Sequence, residues 1–335
     1  MELYLDSADL EEIKEAFKLG FIKGLTTTPT FMHRHGVTDV DGLIVELSKI
    51  TPILQIEALG NTAEEILAEA ERQLALGLDK DKTVFKIPVS LEGVRACKML
   101  RDKGLLVNVH LIYTVQQAYM ALEAGANYIC PLVGRLQDQG HDALDLVDQC
   151  VEAVETFGYD AKVMFSSVRY PEHVRNALNR GVHVCTIPWK VMKMLTSNNL
   201  TEVGISQFVE HTRLMTVKVK DVLSGKNPLV TLEDKIADAL VKMTESGFGC
   251  VGVVDANGKL VGTFTDGDLR RLVEAEGHQG IDKKMGDLSY NPPITIDGNA
   301  LLHHASRLLH EKGVDNLMVL NGDEVVGQLD IQDVQ

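Results

Sequence analysis

Through roughly the first two hundred residues, short apolar runs alternate with longer stretches in which apolar residues recur every third or fourth position. The runs read as buried strands: "ELYLD" (2–6), "IKGLTT" (22–27), "ILQIEAL" (53–59), "TVFKIPV" (83–89), "LLVNVHL" (105–111), "NYICPLV" (127–133), "AKVMFS" (161–166) and "VHVCTIP" (182–188). Between them "SADLEEIKEAFKLG", "TAEEILAEAERQLALG", "SLEGVRACKMLRDKG", "VQQAYMALEAGA" and "YPEHVRNALNRG" read as amphipathic helices, several followed by a glycine suited to a left-handed cap. This alternation predicts a compact α/β fold, an eight-fold (β/α)8 TIM barrel, with an open doubly wound sheet as the alternative.

The pattern changes near residue 216. From there the chain repeats itself at a spacing of about 65 residues, as a duplicated unit does. "NPLVTLEDKIADALVKMTESGFGCVGVVDANGKLVGTFTDGDL" answers to "NPPITIDGNALLHHASRLLHEKGVDNLMVLNGDEVVGQLDIQDV". Each copy reads as extended segment, helix, strand, Asn-Gly turn, strand and helix start, so two α+β halves can bury against each other what neither buries alone. The expected division is a barrel over 1–213, a first repeat over 217–277 and a second over 281–335, with "RLMTVKVK" as the joint.

Composition narrows the partners. A net charge of −15 argues against nucleic acid or an anionic membrane as the main partner, although it leaves room for a local basic pocket that grips a phosphate. No apolar run approaches the ~20 residues of a spanning helix, and "MELYLDSADLEEIKEAF" has no basic leader region. Five cysteines without C-x-x-C spacing read as reduced thiols of a cytoplasmic protein. The pairs His33/His35 and His303/His304 lack a second ligand pair at useful spacing, so they read as surface histidines and no metal site is expected.

One residue breaks the apolar pattern. Lys86 sits in the middle of "VFKIPVS", where a buried strand calls for Val or Ile. Either the strand lies at an edge and the lysine reaches water, or the amine is held inside as a nucleophile. A barrel decides where reactive groups must be: at the C-terminal ends of the strands, on one rim. Those ends carry Asp6, Thr26, Thr28, Glu57, Lys86, Asn108, His110, Cys130 and Ser167. Two acids and a lysine converging on one mouth favour the nucleophile.

The first ~215 residues resemble the transaldolase family, in particular its short, fructose 6-phosphate aldolase-like members. The likeness rests on "LYLDSADLEEIKE", "GLTTTPT", "FKIPVSLEGVRACKML", "AGANYICPLVGRLQD", "SSVRYPEHV" and "TIPWKVMKML", in that order. It implies Schiff-base catalysis without a cofactor: Lys86 forms an imine with a ketose, Asp6 is the general base, and Glu57 acts through a water. It also implies that Arg135, Ser167 and Arg169 grip a phosphate, and that Thr26, Thr28, Asn108 and Cys130 line the donor side. Three positions depart from the family's pattern: Thr28 replaces an Asn, His110 a Thr beside the catalytic water, and Cys130 a Ser. The first and third weaken the case for dihydroxyacetone as the transferred unit, and His110 is a titratable group where a hydroxyl is usual.

The tail resembles a tandem pair of cystathionine β-synthase (CBS) domains, with "GTFTDGDLRR" similar to the pair attached to arabinose 5-phosphate isomerases. The resemblance implies an adenine nucleotide held by Thr265 and Asp268, with Asp333 as the second copy's counterpart. There Asp330 stands where a hydroxyl is expected, an extra anion that disfavours a second equivalent phosphate. The expectation is a class I aldolase or transaldolase acting on a phosphorylated ketose as a homo-oligomer, with a nucleotide-sensing tail. The alternatives are a related lyase with another donor, a non-catalytic sugar-phosphate sensor, and a tail that serves only assembly.

Overall fold

The structure, a computed structural model, describes residues 1–334 and divides into two compact units, Met1–Ser197 and the chain from Asn198 onward. In the first, strands β1 (Glu2–Asp6), β2 (Gly24–Thr26), β3 (Leu54–Glu57), β4 (Thr83–Pro88), β5 (Leu106–Ile112), β6 (Tyr128–Pro131), β7 (Lys162–Phe165) and β8 (Val184–Ile187) form a closed parallel barrel in sequence order. Closure is explicit: β8 pairs back on β1, with Leu3 opposite Cys185 and Leu5 opposite Ile187. An open sheet is thereby excluded.

Strand parity sorts the side chains. Leu5, Leu25, Ile56, Phe85, Ile87, Val107 and Val109 face the surrounding helices and build the main core. Tyr4, Val84, Tyr128, Cys130, Met164 and Val184 fill the barrel's interior as a separate cluster. Burial on both faces is why these strands read as nearly continuous apolar runs. Lys86 shares the parity of Val84, so it points inward. Its strand is hydrogen-bonded on both sides, to β3 and β5, so there is no free edge from which the lysine could reach water.

The second unit holds two three-stranded sheets of matching design. One is β9 (Leu229–Thr231), β10 (Cys250–Val254) and β11 (Leu260–Thr265); the other is β12 (Thr295–Asp297), β13 (Asn316–Asn321) and β14 (Glu324–Asp330). Each antiparallel pair shifts register at the corresponding place, between Val253 and Val254 and between Val319 and Leu320. Each copy has its own core, and Val254, Met318 and Val325 join the two copies in a further apolar cluster.

The helix Asn199–Thr216, which spans the expected boundary at 213, lies in the second compact unit. It packs on the helix Leu302–Lys312, and Arg213 donates from Nη2 to the Asp333 carbonyl at 2.6 Å. The following segment continues the attachment, with the Val219 amide donating to Ala300 at 2.9 Å and the Leu302 amide to Val217 at 3.0 Å. Among the described residues no helix is long and apolar enough to cross a membrane.

Candidate active site

A cavity of about 650 Å³ opens at the C-terminal mouth of the barrel. Asp6, Thr26, Thr28, Glu57, Lys86, His110, Cys130, Arg135, Ser167 and Arg169, ten of the residues singled out from the sequence, line this one space. Neighbouring strands deliver the central groups in register: Glu57 lies opposite Lys86, and His110 opposite both Pro88 and Cys130.

Lys86 is 4% exposed. Its Nζ donates to Glu57 Oε1 at 2.9 Å and to the Thr27 carbonyl at 3.3 Å. The other carboxylate oxygen of Glu57 lies 2.9 Å from His110 Nε2, although neither atom has a well-aligned hydrogen bond. Glu57 therefore bridges amine and imidazole. Burial alone would raise its pKa, but Lys86 and His110 outweigh burial and hold it down to about 2, a standing anion.

Asp6 behaves oppositely. Burial raises its pKa above the ordinary value, against the pull of Lys86 and of a hydrogen bond from Thr26 Oγ1 at 2.8 Å. Two carboxylates beside one lysine are thus driven apart in proton affinity, the pattern that separates a proton acceptor from a fixed counter-ion. His110 is pushed below its ordinary value by burial and then by Lys86, with Arg135 adding to the same effect, so it is neutral at neutral pH. Burial pushes the Cys130 thiol up to about 11, leaving it protonated.

Backbone strain is concentrated here. Among the described residues Leu111 and Ser167, both with φ of 59°, are the non-glycine residues with positive φ, and both line the cavity. Leu111 sits where β5 slips register against β6, between His110 and Ile112, so two successive residues of one strand face the cavity. Gly134 lets the helix that carries Arg135 start against Ser167. A Cβ on that glycine would lie 2.1 Å from the Ser167 carbonyl oxygen. The ends of β6 and β7 are also tied by Ser166 Oγ donating to the Pro131 carbonyl at 2.9 Å.

Three expected site residues do something other than line the cavity freely. Asn108 is fully buried and does not line the cavity; its Nδ2 donates to Gln55 Oε1 at 2.6 Å and lies 3.5 Å from Met164 Sδ. Thr28 Oγ1 caps the helix Pro29–Arg34 by accepting from the Phe31 amide at 3.3 Å. Arg169 is committed to an ion pair with Asp138. Four polar wall residues were not anticipated, Thr30, Arg34, Ser166 and Thr186, the last in hydrogen-bond contact with Thr26. Among the described residues, no cluster of His, Cys, Asp and Glu could hold a metal.

A closed (β/α)8 barrel with a buried lysine paired to one carboxylate and sharing its C-terminal cavity with a second defines a barrel enzyme. The family model described as "Transaldolase/Fructose-6-phosphate aldolase" matches residues 3–248, and the chain belongs to that family. Among its relatives, "Probable transaldolase 2" of Bacillus cereus is 39% identical over 216 residues, 62% of this chain and 96% of the relative. "Probable transaldolase 2" of Bacillus anthracis is 37% identical over 215 residues, again 62% and 96%. The CBS domain model matches residues 285–335, the second copy of the tail.

Within the second unit a cavity of about 830 Å³ lies between the two copies. Thr265, Asp268, Arg271 and Asp330 supply polar wall, and Phe248, Tyr290, Ile294 and Met318 supply apolar wall. Thr265 and Asp268 form a reciprocal cap on the helix Asp266–Glu276, and Arg271 donates to Asp268 at 2.6 Å. Asp333 stands off this wall. Its carboxylate caps the Asp330 amide at 2.9 Å and its carbonyl is taken by Arg213.

Proposed function

We propose that the barrel is a class I aldolase or transaldolase that cleaves a phosphorylated ketose, or transfers a small ketol unit from it, through an imine on Lys86. The observation that carries this is the inward lysine. A buried ion pair is weak support for stability compared with apolar filling, so Lys86 and Glu57 at the centre of a barrel call for a chemical reason.

Lys86, as the amine, attacks the substrate ketone; the carbinolamine loses water and becomes a protonated imine. That imine accepts the electrons of the C3–C4 bond as Asp6 takes the proton of the C4 hydroxyl. An aldehyde leaves and an enamine stays on the enzyme. Addition of a second aldehyde completes transfer, and protonation followed by hydrolysis completes cleavage. Asp6 suits its role because burial strengthens its hold on a proton. Glu57 stays ionised, balancing the cationic imine and orienting His110, which can pass protons to and from the water lost and regained at the imine.

Arg135, Arg169 and Ser167 form the phosphate side. Arg135 is unpaired while Arg169 already shares Asp138, so Arg135→Ala should weaken a ketose phosphate about ten- to a hundredfold and Arg169→Ala less. The unphosphorylated ketose should lose little. Steady-state kinetics with both sugars decides this, and an equal loss for both would make the arginines structural. A related lyase with another donor is the second reading, because Thr28 stands where the family has an amide side chain and Cys130 offers a neutral thiol in place of a hydroxyl. Catalysis by either route separates the barrel from a sensor that only binds.

The tail cavity is read as a site for an adenine nucleotide, which modulates the barrel. The support is a hydroxyl and a carboxylate for a ribose, a guanidinium for phosphate and an aromatic wall for a base. Its likeness to the CBS pair of arabinose 5-phosphate isomerases fits a sugar-phosphate setting. Asp330 adds an anion on the other side, so one nucleotide per chain is expected. Titration calorimetry with AMP, ADP and ATP should give one sub-millimolar site, weakened at least about tenfold by Asp268→Asn, which keeps a side-chain acceptor for the cap. No heat, or binding indifferent to that change, would leave the tail as an assembly module.

A further inference from the structure

In a chain with 48 acidic and 33 basic residues, most arginines have found a carboxylate or a carbonyl. Among the described residues Arg34, Arg135 and Arg270 have neither hydrogen bond nor ion pair. Two of these three, Arg34 and Arg135, line the barrel cavity. Each is a guanidinium on the cavity wall with no anion of the protein beside it, free to take an anionic group of a ligand.

Their placement in the ring separates them. Arg34 ends the helix that follows β2, and Arg135 lies in the helix Val133–Asp138 that follows β6. In a closed ring of eight strands these are opposite arcs, with Lys86 on β4 two strands from each. The phosphate side described above uses Arg135, Arg169 and Ser167. Arg34 belongs to the other side, on the segment that begins at Thr28, whose hydroxyl accepts from the Phe31 amide as a helix cap.

We infer that Arg34 is a second anion-binding residue and that the substrate is a ketose carrying an anionic group, such as a phosphate, at both ends. Arg135 and Arg169 take the group that leaves with the aldehyde, and Arg34 takes the group on the fragment retained on Lys86. The C3–C4 cleavage is unchanged, since neither anion takes part in bond breaking. The transferred unit is then a charged three-carbon ketol rather than an uncharged one. This rests on the Schiff-base reading of the same cavity.

The test is borohydride trapping of the imine on the full chain, titrated with fructose 1,6-bisphosphate and with fructose 6-phosphate. The bisphosphate should half-saturate trapping at a concentration about ten- to a hundredfold lower, the effect of one charge-assisted contact. Arg34→Gln should erase that advantage and leave the 6-phosphate curve in place, while Arg34→Lys retains part of it. Equal half-saturation in the wild type, or an equal weakening of both sugars by Arg34→Gln, would overturn the inference and leave the Schiff base standing. Trapping by neither sugar nor any other ketose overturns both.

Discussion

Lys86→Met lowers turnover of a ketose phosphate by at least about 10⁴-fold, the scale of losing a covalent nucleophile. Lys86→Arg fails equally, because a guanidinium stays protonated and forms no imine. The readout is release of aldehyde by purified variants whose thermal unfolding is followed in parallel. The fold should survive the Met change at acidic and neutral pH. Glu57 loses the ammonium that most strongly lowers its pKa, and burial then favours its protonated form. The stability penalty should therefore grow as pH rises and Glu57 ionises, staying below the about 3–5 kcal/mol of a wholly unpaired buried charge because His110 still lies 2.9 Å from it. Turnover within tenfold of wild type in either variant would remove Lys86 from the mechanism.

Asp6→Asn should cost about 10²- to 10⁴-fold in turnover, the range for loss of a general base. Unlike the Lys86 changes, it should leave imine formation largely intact, since Asp6 is assigned to C3–C4 cleavage. The pH profile carries the sign. A base must be ionised, and burial raises the pKa of Asp6 above the ordinary carboxylate value. Wild-type turnover therefore falls as pH drops through that raised value, and this limb disappears in the Asn variant. Any acid limb that remains belongs to His110, which is neutral until pH falls below the ordinary histidine range. Around His110 the charged groups are Glu57 and Lys86, with Arg135 beyond them. An Asn variant that neither cleaves nor forms imine would place Asp6 earlier in the sequence of steps.

Strands were the most legible part of the chain, for a physical reason. Parallel barrel strands are buried on both faces, so runs such as Thr83–Pro88 and Leu106–Ile112 stand out as nearly continuous apolar stretches. The same background made Lys86 conspicuous. Depth within the barrel was not legible: Asn108 pairs with Lys86 in register, yet lies off the cavity wall, held by Gln55, and nothing in spacing distinguishes floor from wall. Arg34 was hidden in "MHRHG", because a six-residue helix gives no reliable face. Leu111 carries a positive φ with no glycine to announce it. The helix Asn199–Thr216 continues the barrel's α-helical rhythm along the sequence, while its packing on Leu302–Lys312 and the Arg213–Asp333 hydrogen bond tie it to the second unit.

One measurement bears on the central claim most directly: incubate the protein with a ketose phosphate and sodium borohydride, then locate the added mass by peptide mass spectrometry. The reduced imine should appear on the peptide containing Lys86, in the wild type and in Asp6→Asn, and be absent from Lys86→Met. A modification on another lysine with Lys86 untouched, or turnover that proceeds while no substrate can be trapped, would contradict the account.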